Sequence, residues 1–489
     1  MMRPTALMVL LLILETPCRA EQAIEGAWTG QAGTLDNRAT VGLEITAGNS
    51  GELTARFFLD LIGIYGQPLG IVKNVESNHF TIPDADMELH VSADTLTATG
   101  FLHDPKATID LHRSQRSPRA PLRAVNPAGA SPIWTTRLGG AIFAEASIRD
   151  GIAYLGNVDG VFSAITVADG NRVWSFAAGR AIYGEALATD TGVYFVCDNG
   201  FLFRLDRASG KEVWRYDLGD ALVSRTPPNP FVFDYEYQAS RPLLVEGVLY
   251  VGSADGSLHA VRADVGRRVW RIESKGKIRS TVAISGSKLI FSTQDGLVEA
   301  LDWKTGKRLW QFDAKSPVTT SVAIVGGRVM VGARDSMLYA LDPADGRVIW
   351  NQYWWGSWIE STAVEYEGLA YIGSGDLDRV SCIDPVTGQN RWRTDVGGWV
   401  FHRPAVTPSA VYVGVSGARR SSSIWLPQAS ALIALDRLTG RVLWQWSMPE
   451  LSGAFLHGFV AAPVIAGDTL LIGGVDGTLY AFPAGVAVL

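Results

Sequence analysis

The stretch Ala300-Leu-Asp-Trp-Lys-Thr-Gly-Lys-Arg-Leu-Trp310 decides the fold, because its closing Gly-x-x-x-Trp returns along the chain at a nearly constant interval. The pairs are Gly170/Trp174, Gly210/Trp214, Gly266/Trp270, Gly306/Trp310, Gly346/Trp350, Gly388/Trp392 and Gly440/Trp444, with Trp-to-Trp steps of 40, 56, 40, 40, 42 and 52. A unit of about forty residues therefore repeats, with insertions in the third and seventh copies. A unit of that size cannot bury its apolar face alone, so the copies must stack on one another.

Each copy follows Gly-x-x-Tyr-x-Gly-x-x-Asp-Gly-x-Leu-x-Ala-Leu-Asp-x-x-Thr-Gly-x-x-x-Trp, which contains three short β runs and a fourth at the Trp. The second and third runs are joined by a hairpin turn, legible at Asp159-Gly160, Asp255-Gly256, Asp295-Gly296 and Asp476-Gly477 and varied at Asn199-Gly200, Asp335-Ser336 and 376–378. Four antiparallel strands repeated radially make a propeller blade. The last copy, 469–482, ends before any Trp, and Ser131-Pro-Ile-Trp134 begins with a Trp strand that lacks its own first three. Joining the two leaves no open sheet edge and predicts an all-β, eight-bladed propeller over 131–489.

The sequence ahead of the propeller divides into three. Residues 1–20 read as a secretory signal, with Arg3, an apolar run from Ala6 to Leu14 too short to span a bilayer, and small residues at Cys18 and Ala20. Lipidation at Cys18 is the other reading of the same segment. The expected destination is periplasmic or secreted. Residues 24–113 show period-2 alternation at 40–45, 53–57, 79–82, 87–91, 96–99 and 108–112, the pattern of a small antiparallel β-barrel of about eight strands. Residues 114–130 are rich in Pro and Arg without periodicity and read as a linker. Losing two arginines and one glutamate with the signal takes the net charge from −6 to −7. With no dense basic block, nucleic acid is not an expected partner.

These residues carry two resemblances. Ala300 to Trp310 and Ala434-Leu-Asp-Arg-Leu-Thr-Gly-Arg-Val-Leu-Trp444 resemble the Ala-x-Asp-x-x-Thr-Gly-x-x-x-Trp docking motif of pyrroloquinoline-quinone-type (PQQ-like) propeller repeats, and the likeness spans 131–485. It implies that the eight Trp residues, from Trp134 to Trp444, pack between neighbouring blades. It also implies two kinds of function. Some members are PQQ-dependent dehydrogenases that hold a calcium with Glu, Asn and Asp side chains beside a catalytic Asp, often over a vicinal disulfide; others are cofactor-free scaffolds. The second resemblance is weaker. Gly26-Ala-Trp-Thr-Gly30 is similar to the opening of lipocalin-like barrels, where the Trp plugs one end, and to an N-terminal β module of secreted bacterial proteins.

After each docking Trp the chain crosses to the innermost strand of the next blade, so residues nine to thirteen later reach one mouth of the central channel. Those positions give Glu145, Glu185, Arg225, Arg279, Thr320, Glu360, His402 with Arg403, and His457, with aromatics at Trp354, Trp355, Trp358, Trp399, Phe401, Phe455 and Phe459. Aromatics beside charges at a rim suggest a surface that something covers, and the insertions at 226–237 and 417–429 make that rim asymmetric. The candidate ligand-binding set is Glu145, Glu185, Arg225, Arg279, Trp358, Glu360, Trp399, His402, Arg403 and His457, without catalytic residues and without metal ligands.

The expected function is therefore an exported propeller that binds a protein, peptide or glycan and carries no cofactor. The alternative is a periplasmic PQQ-dependent quinoprotein dehydrogenase using calcium, with Glu185, Arg225 and Arg279 lining the quinone site. Against that alternative, the chain has no Cys-Cys pair and no segment matching the calcium and catalytic motifs. A third reading places a small apolar ligand in the barrel. Cys197 and Cys382 fall four blades apart and cannot bridge; Cys382 stands where the docking motif has its small Ala and is expected to pack as a buried thiol.

Overall fold

A computed structural model describes residues 23–32, 39–48, 50–59, 64–100, 108–115, 131–226, 236–354, 357–418, 430–449, 451 and 456–485. The signal-like segment, nearly all of the linker, Trp355, Phe455 and most of both insertions lie outside the described residues. The chain divides into two compact units, 1–120 and 121–489.

The first unit is one sheet curled into a nearly closed barrel. Its strands are β1 (Gly26–Ala32), β2 (Ala39–Ala47), β3 (Leu53–Leu59), β4 (Ile64–Ile71), β5 (Lys73–Glu76), β6 (His79–Ile82), β7 (Met87–Ser92), β8 (Thr95–Thr99) and β9 (Thr108–Ser114). They run in the order β4-β3-β2-β1-β9-β8-β7-β6-β5. Alternation sends Phe80, Ile82, Met87, Leu89, Val91, Leu96 and Leu111 inward and leaves Glu88, His90 and Ser92 outside. Trp28 is fully buried; its indole donates to the Ile24 carbonyl at 2.8 Å, and the Arg113 guanidinium lies 4.3 Å over the ring. Strands β4 and β5 went unread in the sequence because β4 carries Gly66, Pro68 and Gly70 and β5 is exposed at every position.

The second unit is the expected ring of eight antiparallel sheets. Blades 1 to 7 span 147–177, 187–217, 243–273, 283–313, 323–353, 364–395 and 405–447. Blade 8 takes its inner three strands from 464–483 and its outer strand, Trp134–Arg137, from the start of the unit, pairing Trp134 with Ala481 and Arg137 with Thr478. The closure read from the sequence is thus the closure the fold uses. Blade 7 differs in one respect. Its second strand, Ala410–Ala418, runs long and pairs its last residues with an extra strand, Leu456–Gly458.

The Trp residues bolt each blade to the next. Trp310 donates its indole N–H to the Pro343 carbonyl at 3.0 Å, and Trp350 and Trp392 do the same to Pro385 and Arg437 at 2.9 Å each. In these three the acceptor follows the Asp that opens the next blade's last turn; Trp134 and Trp214 use the same position, Val167 and Ala263, behind Thr166 and Arg262. The Gly of that turn lies against the same ring: Gly346 has a φ of +77°, and a Cβ there would sit 2.5 Å from the Trp310 ring. Only glycine meets both demands. The Asp folds the turn, as where Asp302 accepts from the Thr305 amide at 2.9 Å and hydroxyl at 2.7 Å. Trp270 departs from this pattern. Tyr250 takes the Trp303 carbonyl at the equivalent position, and the Trp270 indole N–H has no partner.

Opposite the Trp in its own blade stands a small residue, such as Ala300 against Trp310 and Cys382 against Trp392, except in blade 2, where Trp214 faces Arg204. Cys197 and Cys382 are both buried free thiols, and burial pushes each up to about 11. Because each innermost strand begins where the connector from the preceding blade arrives, connectors and Asp-Gly turns share one face of the ring. The Asp-x-x-Thr-Gly turns occupy the other.

Candidate functional site: a chamber at the head of the channel

Two residues before each innermost strand, the eight blades present Glu145, Glu185, Arg241, Thr281, Ser321, Thr362, Arg403 and Ala462, and together these line one chamber of about 140 Å³. Sequence reasoning found Glu145, Glu185 and Arg403 of this ring. It missed the rest for a definable reason. Five of the eight stand eleven residues after the preceding Trp and Thr362 stands twelve after, so a fixed offset would have chosen Thr281 and Ser321 where a nine-to-thirteen window favoured Arg279 and Thr320. In blades 3 and 8 the longer connectors move the ring position from Arg225 to Arg241 and from His457 to Ala462.

The charges of the chamber largely answer one another. Arg403 reaches Glu145 with two bonds, Nε to Oε2 at 2.7 Å and Nη2 to Oε1 at 2.6 Å, and extends Nη2 to Glu185 at 3.3 Å. Arg241 lies 3.1 Å from Glu185 on the other side. Burial, reinforced by the neighbouring Glu145, outweighs both arginines and raises the Glu185 carboxyl to about 8, so it carries a proton at neutral pH. His402 lines the same chamber; burial and then Arg403 push it down to about 4, and it stays neutral. At neutral pH the chamber holds one close ion pair, a protonated carboxyl and the Arg241 cation.

The aromatics expected at an open rim instead close it. Phe143, Tyr183, Tyr237, Trp399, Phe401, Leu456 and Val460 form one buried cluster. Tyr237 and Phe401 rings are 4.8 Å apart, and Phe401 and Trp399 5.3 Å. Trp399 is only 5% exposed, and its backbone pairs with Ser416 in both directions at 2.8 and 2.9 Å. Its expected exposure is corrected: a side chain that covers the channel cannot also be rim surface. Trp354 and Phe459 are buried as well.

The remaining candidates fasten the plug. Glu360, 3% exposed, accepts from the Tyr237 hydroxyl at 2.6 Å and from Arg334 at 2.9 and 3.1 Å, while Arg334 lies 4.3 Å over half-buried Trp358. Arg225 grips Asp198 with two bonds of 2.6 and 2.8 Å, donates to the Glu236 and Gln238 carbonyls and stacks on Tyr183 at 3.9 Å. Arg279 holds Glu236 at 3.1 Å. His457 is buried in the extra strand of blade 7, opposite Gly417. The sequence thus picked groups that gather at one face, but Arg225, Arg279, Glu360, Trp399 and His457 are turned inward on the protein.

The family described as outer membrane protein assembly factor BamB matches residues 114–218, 198–354 and 334–485. The chain belongs to this family of PQQ-like β-propellers. No curated protein matches it. Among solved structures it is similar to the computationally designed Ika8 protein, with 15% identity over 71% of this chain and 97% of the other and a TM-score of 0.55. It is similar also to the quinohemoprotein alcohol dehydrogenase of Comamonas testosteroni, with 16% identity over 75% and 79% and a TM-score of 0.54. A europium-containing methanol dehydrogenase gives 13% identity over 74% and 95% and a TM-score of 0.57. At these identities the likeness is one of fold. No helix among the described residues is long and apolar enough to cross a membrane.

Proposed function

We propose that this chain is an exported binding scaffold that holds a partner protein on the connector face of its propeller and catalyses no reaction of its own. The observation that carries this reading is the plug: Tyr237, anchored on Glu360, and the Trp399–Phe401 pair cover the channel on the face where every connector lies. Recognition on that face therefore takes place over the channel. Both additions to the plain repeat with described residues, the 236–238 segment and the 416–418/456–458 strand pair, rise there. An assembly factor, as the matched family is described, works by contacting other proteins, and a broad face with individual loops suits that task.

The quinone alternative fits the residues poorly. A site for a drug-sized ligand occupies about 300–1,000 Å³, against the chamber's 140 Å³. Its carboxylates are Glu145 and Glu185, both beside arginines, and among the described residues no Asp or Asn lines it to complete a calcium site. Arg225 and Arg279, which would have met the quinone's carboxylates, are engaged by Asp198 and Glu236.

The test places a photo-crosslinking residue at Leu222, 98% exposed on the connector entering blade 3, or at Leu438, 69% exposed on the opposite face. In cells that make the protein, discrete adducts should form from Leu222 and not from Leu438. Equal labelling from the two positions would count against a working connector face. Dye-linked alcohol oxidation by purified protein given PQQ and calcium would restore the enzyme reading.

A further inference from the structure

The barrel module carries three potential metal ligands on its outer surface, and nothing in the propeller reading uses them. His79 on β6 and His90 on β7 are direct cross-strand partners, and Glu88, two residues before His90 on the same face, stands opposite Thr81. Side chains directly opposed on one sheet face have Cβ atoms about 4.5–5.5 Å apart. The two imidazoles accordingly stack with centroids 4.3 Å apart and planes at 17°, and His79 Nε2 lies 3.8 Å from Glu88 Oε2. One ligand atom from each of the three lies within 4.8 Å of the others, the one such group of His, Cys, Asp or Glu among the described residues.

A second observation sets this cluster apart from ordinary surface polarity. The Nε2 atom of His79 is buried and has no hydrogen-bond partner. Burying a ring nitrogen without a partner is unfavourable unless something else satisfies it. Inward-facing Phe80 and Leu89, paired across the same two strands, fix the backbone beneath it. The register continues from His90 to Thr97 and from Thr97 to Asp110, and the Thr97 hydroxyl donates to Asp110 at 2.6 Å. The ligands therefore rise from a paired, packed sheet and not from a loop.

We infer that His79, His90 and Glu88 form a binding site for a divalent transition metal of the zinc, copper and nickel class. Two imidazole nitrogens and one carboxylate oxygen select such ions over calcium or magnesium, which take oxygen ligands. Metal–ligand bonds of about 2.0–2.2 Å in tetrahedral array place donor atoms roughly 3.4 Å apart, a closure that side-chain rotation alone supplies from the present spacing. Glu88 and His90 are exposed, so the fourth position of a bound ion faces solvent. The ion is exchangeable and open to an outside ligand.

The experiment titrates untagged full-length protein with Zn²⁺ in competition with a chromogenic chelator. The expected result is one Zn²⁺ per chain, with affinity falling at least tenfold in H90A and in H79A/H90A and less steeply in E88Q. Because His90 is exposed, H90A reports on the site even where the double variant folds poorly, and thermal melting confirms the fold of each. A parent protein that takes up no Zn²⁺ at micromolar metal overturns the inference, as does binding of unchanged stoichiometry and affinity in H90A and H79A/H90A.

Discussion

The Tyr237 hydroxyl donates to Glu360 Oε2 at 2.6 Å, joining the connector that enters blade 3 to the one that enters blade 6 across the head of the channel. A hydrogen bond to a charged acceptor in a buried setting contributes about 1.5–3 kcal/mol. Tyr237→Phe should lower stability by about that amount while keeping the ring against Phe401. Glu360→Ala should cost more, about 3–5 kcal/mol, because it removes the buried carboxylate that both Arg334 and Tyr237 bond. Urea unfolding of both variants checks the order, and a Tyr237→Phe protein as stable as the parent would show that the clasp does not form.

The bolts make a sharper case. Trp310→Ala removes a buried aromatic and its bond to Pro343, at about 3–5 kcal/mol. Gly346→Ala should approach that figure from the other side of the same contact, since its Cβ would meet the Trp310 ring at 2.5 Å. Gly327 has nearly the same backbone, φ +71°, but nothing within 4 Å of an added Cβ. Gly327→Ala should therefore cost only the backbone strain, about 1 kcal/mol. Similar losses for the two glycine variants would mean that backbone, not interblade packing, fixes the motif.

The fold was legible because propeller geometry is written in residues that admit few substitutes. Gly346 must be glycine, Asp302 must cap its turn, and Trp310 must find a carbonyl 33 residues on, so the period survives in the text of the chain. The chamber was half legible. Its ring positions obey a register, but Thr281, Ser321 and Thr362 carry no chemistry that attracts notice, while the nearby Arg279 and Glu360 do. The plug was illegible for a different reason. Whether Trp399 faces solvent or covers a channel depends on Tyr237, which arrives from an insertion the repeat does not encode.

Ring closure rests on one short strand. Deleting 131–137 removes the pairing of Trp134–Arg137 with Thr478–Ala481 and the bond from Trp134 to the Val167 carbonyl at 3.0 Å. Blade 8 would then present an open edge, and the protein should aggregate or lose cooperative unfolding. Light scattering and a fluorescence melt read the outcome; a deletion variant that stays monomeric and melts like the parent would show closure is made elsewhere.

Cys197 and Cys382 should both be inert in the native protein. Burial raises each thiol to about 11, which keeps the reactive thiolate scarce at pH 8. An aromatic disulfide reagent should label neither in buffer and both in guanidinium. A disulfide between them in the purified protein would contradict their placement in blades 2 and 6.

Glu185 and His402 pull stability in opposite directions with pH. The Glu185 carboxyl keeps its proton in the fold up to about 8 but loses it near its ordinary value of 4.5 in the unfolded chain. Between those values the folded state holds the extra proton, so stability must fall as pH rises. His402, held at about 4 in the fold against 6.5 when free, binds its proton first in the unfolded chain, so stability must fall as pH drops from 6.5 toward 4. His259, also held at about 4 by burial, acts with it. The propeller should therefore be most stable near pH 6 to 6.5 as far as these groups decide it. Glu185→Gln keeps the shape of the protonated acid and cannot ionise, so it should remove the decline on the alkaline side and, because Glu185 no longer offsets the histidines between about 4.5 and 6.5, steepen the fall on the acid side. Urea midpoints at pH 5, 6.5, 8 and 9 for parent and variant measure this directly. If the variant declines above pH 6.5 as steeply as the parent, Glu185 is already ionised in the fold, and Arg241 and Arg403 outweigh its burial.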